Sequence, residues 1–168
     1  MDTSSSIHRI GFGGSCHWCT EAIFQQVKGV VRVDQGWMAA QEYPSFSEAV
    51  DVYFKPAIIS LKTLVEIHLY SHSCTSEHPM RDKYRSAIYV FDDVQREACK
   101  RFLFELQGQF EKPIITKVLV FDSFKLNKED YLNYYKRNPE KAFCKNVIHP
   151  KLSKLMNTHG KYLDRAGL

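Results

Sequence analysis

Apolar and polar positions along the chain switch between two periods, and the switches mark the predicted elements. Residues 7–13 alternate weakly and end in Gly11-Phe12-Gly13-Gly14, which reads as a strand running into a tight turn. Over 16–28, Thr20, Ile23, Phe24 and Val27 recur at helical spacing, with Gly29 placed as a stop. Residues 30–35 read as a second strand, and 48–54 alternate clearly with Val50, Val52 and Phe54 on one face. Ser60 suits the N-cap of a helix over 61–71, with Leu61, Leu64, Val65 and His68 on one side. Residues 86–91 and 113–121 read as strands, and Asp92 with Gln95 forms a capping pair for a helix over 93–110. Short helices near 128–136 and 149–157 close the chain. Mixed elements with short connections predict one α/β (α+β) domain over residues 1–168. The expected form is a ferredoxin-like two-layer sandwich, a mixed sheet with flanking helices.

Composition narrows the class. The 168 residues are 44% hydrophobic and 25% charged, which fits an ordinary globular protein and excludes a disordered tail, a collagen-like fibre or a disulfide-dense mini-protein. The net charge of +4 comes from Lys and Arg interleaved with Asp and Glu, so no basic block points to nucleic acid. No apolar run approaches the roughly 18 residues that span a bilayer. The N-terminus also lacks a charged segment followed by an apolar one, so no membrane partner and a cytoplasmic location are expected. Five cysteines, Cys16, Cys19, Cys74, Cys99 and Cys144, are an odd number, which argues against a disulfide framework and for a reducing compartment.

The most informative stretch is Gly11-Phe12-Gly13-Gly14-Ser15-Cys16-His17-Trp18-Cys19-Thr20-Glu21. It places Cys16 where a strand hands over to a helix. Backbone N–H groups at a helix start favour an anion and lower a thiol's pKa, so a cysteine there is poised as a thiolate nucleophile. Other readings compete. Gly-x-Gly-Gly after a strand resembles a nucleotide-binding loop but lacks the rest of the fingerprint. Cys16-His17-Trp18-Cys19 is a C-x-x-C pair, suited to disulfide exchange or to half a zinc site, and His68 and His72 sit one helical turn apart. No second C-x-x-C is present, and no metal site is expected. Two inert core cysteines are the plain alternative.

The same stretch resembles the signature of the A-type peptide methionine sulfoxide reductases, G-C-F-W-(G/C)-x-E. Further matches follow in the family's order. Gly36-Trp37 stands for Gly-Tyr, Ser45-Phe46-Ser47-Glu48 for G-H-A-E, and His72-Ser73-Cys74-Thr75 for H-D-P-T. Tyr84-Arg85-Ser86-Ala87-Ile88-Tyr89 matches Y-R-S-A-I-Y, and Glu129-Asp130-Tyr131, Asn138-Pro139 and Phe143-Cys144 match E-D-Y, N-P and Y-C.

The resemblance covers about residues 7–157 and implies a thiol-dependent enzyme that reduces the S epimer of methionine sulfoxide, free or in proteins. It implies Cys16 as nucleophile, Glu48 as the acid that protonates the sulfoxide oxygen, and Tyr84 as a hydrogen-bond donor to that oxygen. Trp18, Trp37 and His17 would contact substrate. Cys144 would resolve the sulfenic acid formed on Cys16, with Cys19 or direct reduction of the sulfenic acid as the alternatives, and Cys74 is close enough by resemblance to take part. Cys99 reads as core. No cofactor is implied beyond an external, thioredoxin-like dithiol reductant, and the chain is expected to act as a monomer. The rival functions are thiol–disulfide exchange through Cys16 and Cys19, and a module that binds methionine sulfoxide without turnover.

One role has support from the residues themselves. Glu48 shares strand parity with Val50, Val52 and Phe54, so it is expected to point toward the apolar layer, where burial keeps a carboxyl protonated. The departures from the family pattern are also specific. Ser15 replaces a glycine, His17 a phenylalanine, Phe46 the histidine of G-H-A-E, Trp37 a tyrosine and Leu132 the histidine of Y-H. His17 and Phe46 look like an imidazole moved from one wall of the site to the other. The segment Ser76-Glu77-His78-Pro79-Met80-Arg81-Asp82-Lys83 is shorter than the family's loop, so that the family's aspartate is either Asp82, displaced, or without an equivalent.

Overall fold

A computed structural model describes residues 6–164. Five strands make one mixed sheet: β1 (His8–Gly13), β2 (Val30–Ala40), β3 (Ser47–Phe54), β4 (Ala87–Val90) and β5 (Lys117–Leu126). The helices are α1 (His17–Gln25), α2 (Leu61–Tyr70), α3 (Asp93–Leu106), α4 (Tyr134–Arg137) and α5 (His149–His159). The caps read from sequence are present. Ser60 Oγ accepts the Thr63 N–H at 3.1 Å, Asp92 accepts the Gln95 N–H at 2.7 Å, and Gln95 in return accepts the Phe91 N–H at 2.9 Å.

Strand order is β1-β3-β2-β5-β4, with only β4 and β5 parallel. The mixed sheet with flanking helices is as expected, and one further pairing closes it. β1 also pairs with β4, Gly11 opposite Tyr89 and Gly13 opposite Ala87, so the sheet closes into a barrel. The physical reason lies in residue size. The interior holds Met38, Tyr89 and Leu119 against Ala40, Ala49 and Ala87. A Cβ at Gly11 would lie 2.5 Å from Met38 Sδ and 2.8 Å from Tyr89 Cβ, so closure needs glycine there. The larger core lies outside the barrel, where Ile10, Phe12, Val50, Val52 and Phe54 pack with the buried faces of α1 and α2. Burying such side chains, at about 1.5–3 kcal/mol each, holds α1 to the sheet.

Boundaries moved where tertiary pairing overrides local signal. β2 runs on past Gly36 because β3 and β5 flank it, and β5 begins four residues later than read, at Lys117. α1 stops at Gln25, before Gly29. The expected helix at 128–136 is a single 3-10 turn, Glu129–Tyr131, followed by α4, and a π-turn at Cys144–Ile148 precedes α5. Among the described residues no helix is long and apolar enough to cross a membrane.

Candidate active site

β1 delivers the chain through Gly13 and Gly14 to Cys16, the N-cap residue of α1. Gly14 has φ +150°, and a Cβ there would lie 2.5 Å from the His72 ring, so this turn needs glycine on both counts. Arg81, which the sequence reading passed over, ties the turn to the following loop. Its guanidinium donates to the carbonyls of Gly14 (2.8 Å), Tyr84 (2.9 Å), Ser76 (2.9 Å) and Ser73 (2.6 Å).

The Cys16 thiol is partly exposed and its pKa is lowered. A hydrogen bond with Cys19 is the largest cause, followed by the N–H groups of Trp18 and Cys19, which together outweigh burial and the Glu48 charge. Cys19 is buried, and that same bond, with burial, pushes its thiol far up. Of the two thiols, Cys16 is therefore the one that ionises more readily, and the shared hydrogen bond favours its thiolate over that of Cys19.

Facing α1 is Glu48, only 5% exposed, on the helix side of β3 as its parity predicted. Its Oε1 accepts the His17 N–H at 3.2 Å, so one peptide group of the helix start joins the cysteine loop to the carboxyl. Lys83 Nζ lies 3.6 Å from Glu48 Oε2 and 5.2 Å from the Tyr84 ring centroid. The Tyr84 hydroxyl and the Glu48 charge raise the Lys83 pKa, so the ammonium stays charged. His17 is buried edge-on against Trp37, with ring centroids 5.1 Å apart, and burial pushes its imidazole below the ordinary value.

Trp18 stacks on Tyr134 at 3.9 Å and 4°, with Phe143 edge-on at 5.7 Å. Glu21 builds this wall. Its buried carboxyl accepts the N–H groups of Asn133 (2.9 Å) and Tyr134 (3.1 Å), holding α4 against α1. Two clefts meet at Cys16. One, of about 660 Å³, brings together Cys16, His17, Trp18, Trp37, Glu48 and Tyr84. The other, of about 490 Å³, opens on the far side past Cys19, Arg81 and Lys151.

Seven of the eight residues singled out from sequence therefore line the two clefts that meet at the Cys16 thiol, and the eighth, Cys144, is set apart. Cys144 is 0% exposed in the π-turn, its thiol is raised by burial, and its charge is felt at Cys19. Cys74 and Cys99 are buried and line neither cleft; burial pushes the Cys99 thiol up to about 12. Phe46 is 48% exposed and lines neither cleft, so the exchange of walls inferred for His17 and Phe46 does not occur. His68 and His72 bond to Gly13 O and to Ser86 Oγ, both at 2.7 Å, and among the described residues no cluster of three metal-ligating side chains forms. Asn127 and Gln35, buried beside His17, had no local signal in the sequence.

A family model described as peptide methionine sulfoxide reductase matches residues 8–163. The peptide methionine sulfoxide reductase MsrA of Chromobacterium violaceum is 33% identical over 160 residues, covering 85% of this chain and 91% of that protein. The MsrA of a Nitratiruptor species is 32% identical over 167 residues, covering 90% and 96%. Methionine sulfoxide reductase A of Corynebacterium diphtheriae shares the fold with a TM-score of 0.71 at 18% identity, over 82% of this chain and 77% of that one. Mxr1 of Saccharomyces cerevisiae, solved in complex with Trx2, gives 0.63 at 19% identity, over 74% and 84%. The chain belongs to the peptide methionine sulfoxide reductase family.

Proposed function

We propose that this chain is a thiol-dependent oxidoreductase that reduces the S epimer of methionine sulfoxide, free or in proteins, as a repair of oxidative damage. The observation that carries the reading is the His17 peptide group. On one side of it sits a thiol at a helix start whose pKa is lowered, and on the other a buried carboxyl that the same N–H holds at 3.2 Å. Disulfide exchange needs the first and has no use for the second.

In the reaction, the Cys16 thiolate attacks the sulfoxide sulfur in the larger cleft. Glu48 gives its proton to the sulfoxide oxygen, since an oxide dianion cannot leave. Tyr84 donates a hydrogen bond to that oxygen, while Trp18 and Trp37 hold the methyl and thioether groups against aromatic faces. The protonated oxygen passes from the substrate sulfur to Cys16 Sγ as the bond between the two sulfurs breaks, so the substrate sulfur gains two electrons and leaves as methionine, and Cys16, which loses them, becomes a sulfenic acid. A second thiol condenses with it, forming a disulfide and releasing water. Cys144 and Cys19 are the candidates for that thiol. The Cys16–Cys19 hydrogen bond favours Cys19 for the first disulfide, with Cys144, buried within electrostatic reach of Cys19, next in line.

An external dithiol then restores both thiols by exchange, and no further cofactor takes part. The complex of Mxr1 with Trx2 supports a thioredoxin-like donor. The whole chain acts as one reductase domain, as a monomer, in the cytoplasm, where its five free cysteines stay reduced.

The test is turnover with dithiothreitol and the separated epimers of a blocked methionine sulfoxide. Consumption of the S epimer alone, lost in Cys16→Ser, is expected. Insulin-type disulfide reduction that depends on Cys19 and ignores Glu48 contradicts the reading. So does binding of the sulfoxide without turnover.

A further inference from the structure

His17 stands where the family signature has phenylalanine, and its ring makes contacts that a phenyl cannot. Nδ1 lies 2.7 Å from the Gly36 carbonyl, which only accepts, so Nδ1 carries a hydrogen. On the other side, Asn127 is fixed in orientation because its Oδ1 accepts the Lys128 N–H at 2.8 Å. Its Nδ2 therefore points inward, donating to Gln35 Oε1 at 2.7 Å and lying 3.4 Å from His17 Nε2. Gln35 is fixed in turn by donating to Tyr131 O at 2.9 Å. His17 Nε2, with Nδ1 carrying the hydrogen, thus has one lone pair, and the Asn127 N–H lies on one side of it at 3.4 Å.

The same nitrogen lies 3.4 Å from Glu48 Oε1. A bare carboxylate and an imidazole lone pair repel at that distance. A proton between them turns the repulsion into a hydrogen bond, and such catalytic bonds are often long before substrate arrives.

We infer that Glu48 and His17 act as one acid, holding a shared proton between Oε1 and Nε2 that is the proton delivered to the sulfoxide oxygen. His17 is the positioning residue of the pair. This rests on the reading of Glu48 as the acid.

The gain follows from counting states. A lone carboxyl holds its proton in one form. The pair holds it in two, acid with imidazole or carboxylate with imidazolium, so it keeps the proton to higher pH than either group alone. Lys83, reaching in from the 79–83 turn, places its ammonium 3.6 Å from Glu48 Oε2. The other titratable and charged groups around the pair are the Cys16 thiol on its own loop, Tyr84 and Tyr131, and Lys125 and Lys128 at the rim of the cleft. Trp37 of β2 covers the imidazole with an uncharged edge. Burial, the largest influence on His17, disfavours imidazolium. After transfer, the carboxylate is left beside the His17 N–H and the Lys83 ammonium, and solvent returns one proton to the pair.

Two measurements test this. The first follows the His17 ring nitrogens by 15N NMR against pH in the wild type and in the near-isosteric Glu48→Gln. The Nδ1–H tautomer is expected in both, with a titration midpoint that moves by about one pH unit when the carboxyl is removed. The second is the pH profile of kcat/KM for His17→Gln, whose alkaline limb is expected to move down by about one pH unit. An imidazole that titrates identically with and without the Glu48 carboxyl, or an alkaline limb that does not move, overturns the proposal. If the wild type consumes no S epimer, the reductase reading falls, and the NMR comparison still decides whether the proton is shared.

Discussion

Three imidazoles pack around the cysteine loop, His17 and His68 buried and His72 half-buried, and they meet opposite chemistry. Above it, His17 touches a carboxyl and lines the larger cleft. Below it, His68 and His72 stack with ring centroids 4.3 Å apart. They bond to Gly13 O, His68 O and Ser86 Oγ, and among the described residues no carboxylate bonds to either. Burial, the largest cause, pushes His68 well below its ordinary pKa and His72 to about 4. The lower pair is thus a neutral strut under the Gly14 turn. The comparison teaches that burial alone makes an imidazole a structural hydrogen-bonding group. It takes an acid opposite the ring to give that imidazole a part in proton transfer.

The comparison breaks most sharply at the acid. Glu48→Gln keeps the size of the side chain and removes its proton, so kcat/KM for the S epimer is expected to fall about 10²–10⁴-fold. Guanidinium unfolding of that variant should show little change, because the His17 N–H keeps an acceptor. The lower pair answers to pH instead. Both rings are neutral when folded and titrate near 6.5 when unfolded, so the unfolded chain binds the extra protons. Their contribution to stability is full above about pH 6.5 and is lost as pH falls toward 4, with roughly 3 kcal/mol at stake in His72 alone. Chemical denaturation at pH 7 and pH 4.5, compared between wild type and His72→Gln, reads that loss; equal pH sensitivity in the two would contradict it.

Gly14→Ala sharpens the structural half. The added Cβ meets His72 at 2.5 Å in a positive-φ turn, so stability is expected to drop by about 1–3 kcal/mol. Thermal unfolding measures it. The smallest effect is expected from Asn127→Ala, which removes a donor 3.4 Å from His17 Nε2. The midpoint of the His17 titration should rise slightly, by a few tenths of a pH unit, because only the unprotonated nitrogen loses a partner.

Legibility followed range along the chain. The turn before Cys16, the Ser60 and Asp92 caps and the side of β3 that carries Glu48 are set by neighbours within a few residues, and the sequence shows them. The closure of β1 onto β4 depends on which small residues meet across the barrel, and no local window contains that. The same holds for Asn127 beside His17, 110 positions away, and for Arg81 gripping Gly14 from 67 positions on. The supposed exchange between His17 and Phe46 failed for a related reason: a substitution pattern records what changed, not which side chains face each other. The C-terminal segment misled by composition. Helix-forming residues there are divided among a 3-10 turn, α4 and a π-turn, because Glu21 and Trp18 dictate where Tyr134 and Phe143 must sit.

The central claim is that Cys16 takes the sulfoxide oxygen and a second thiol of the same chain then closes the cycle. A single turnover without added reductant tests it directly, by counting methionine formed and thiols remaining. The account predicts one methionine per chain and the loss of two of the five free thiols, with neither change in Cys16→Ser. Thiol loss without methionine, or methionine formed by the Cys16→Ser variant, would contradict it.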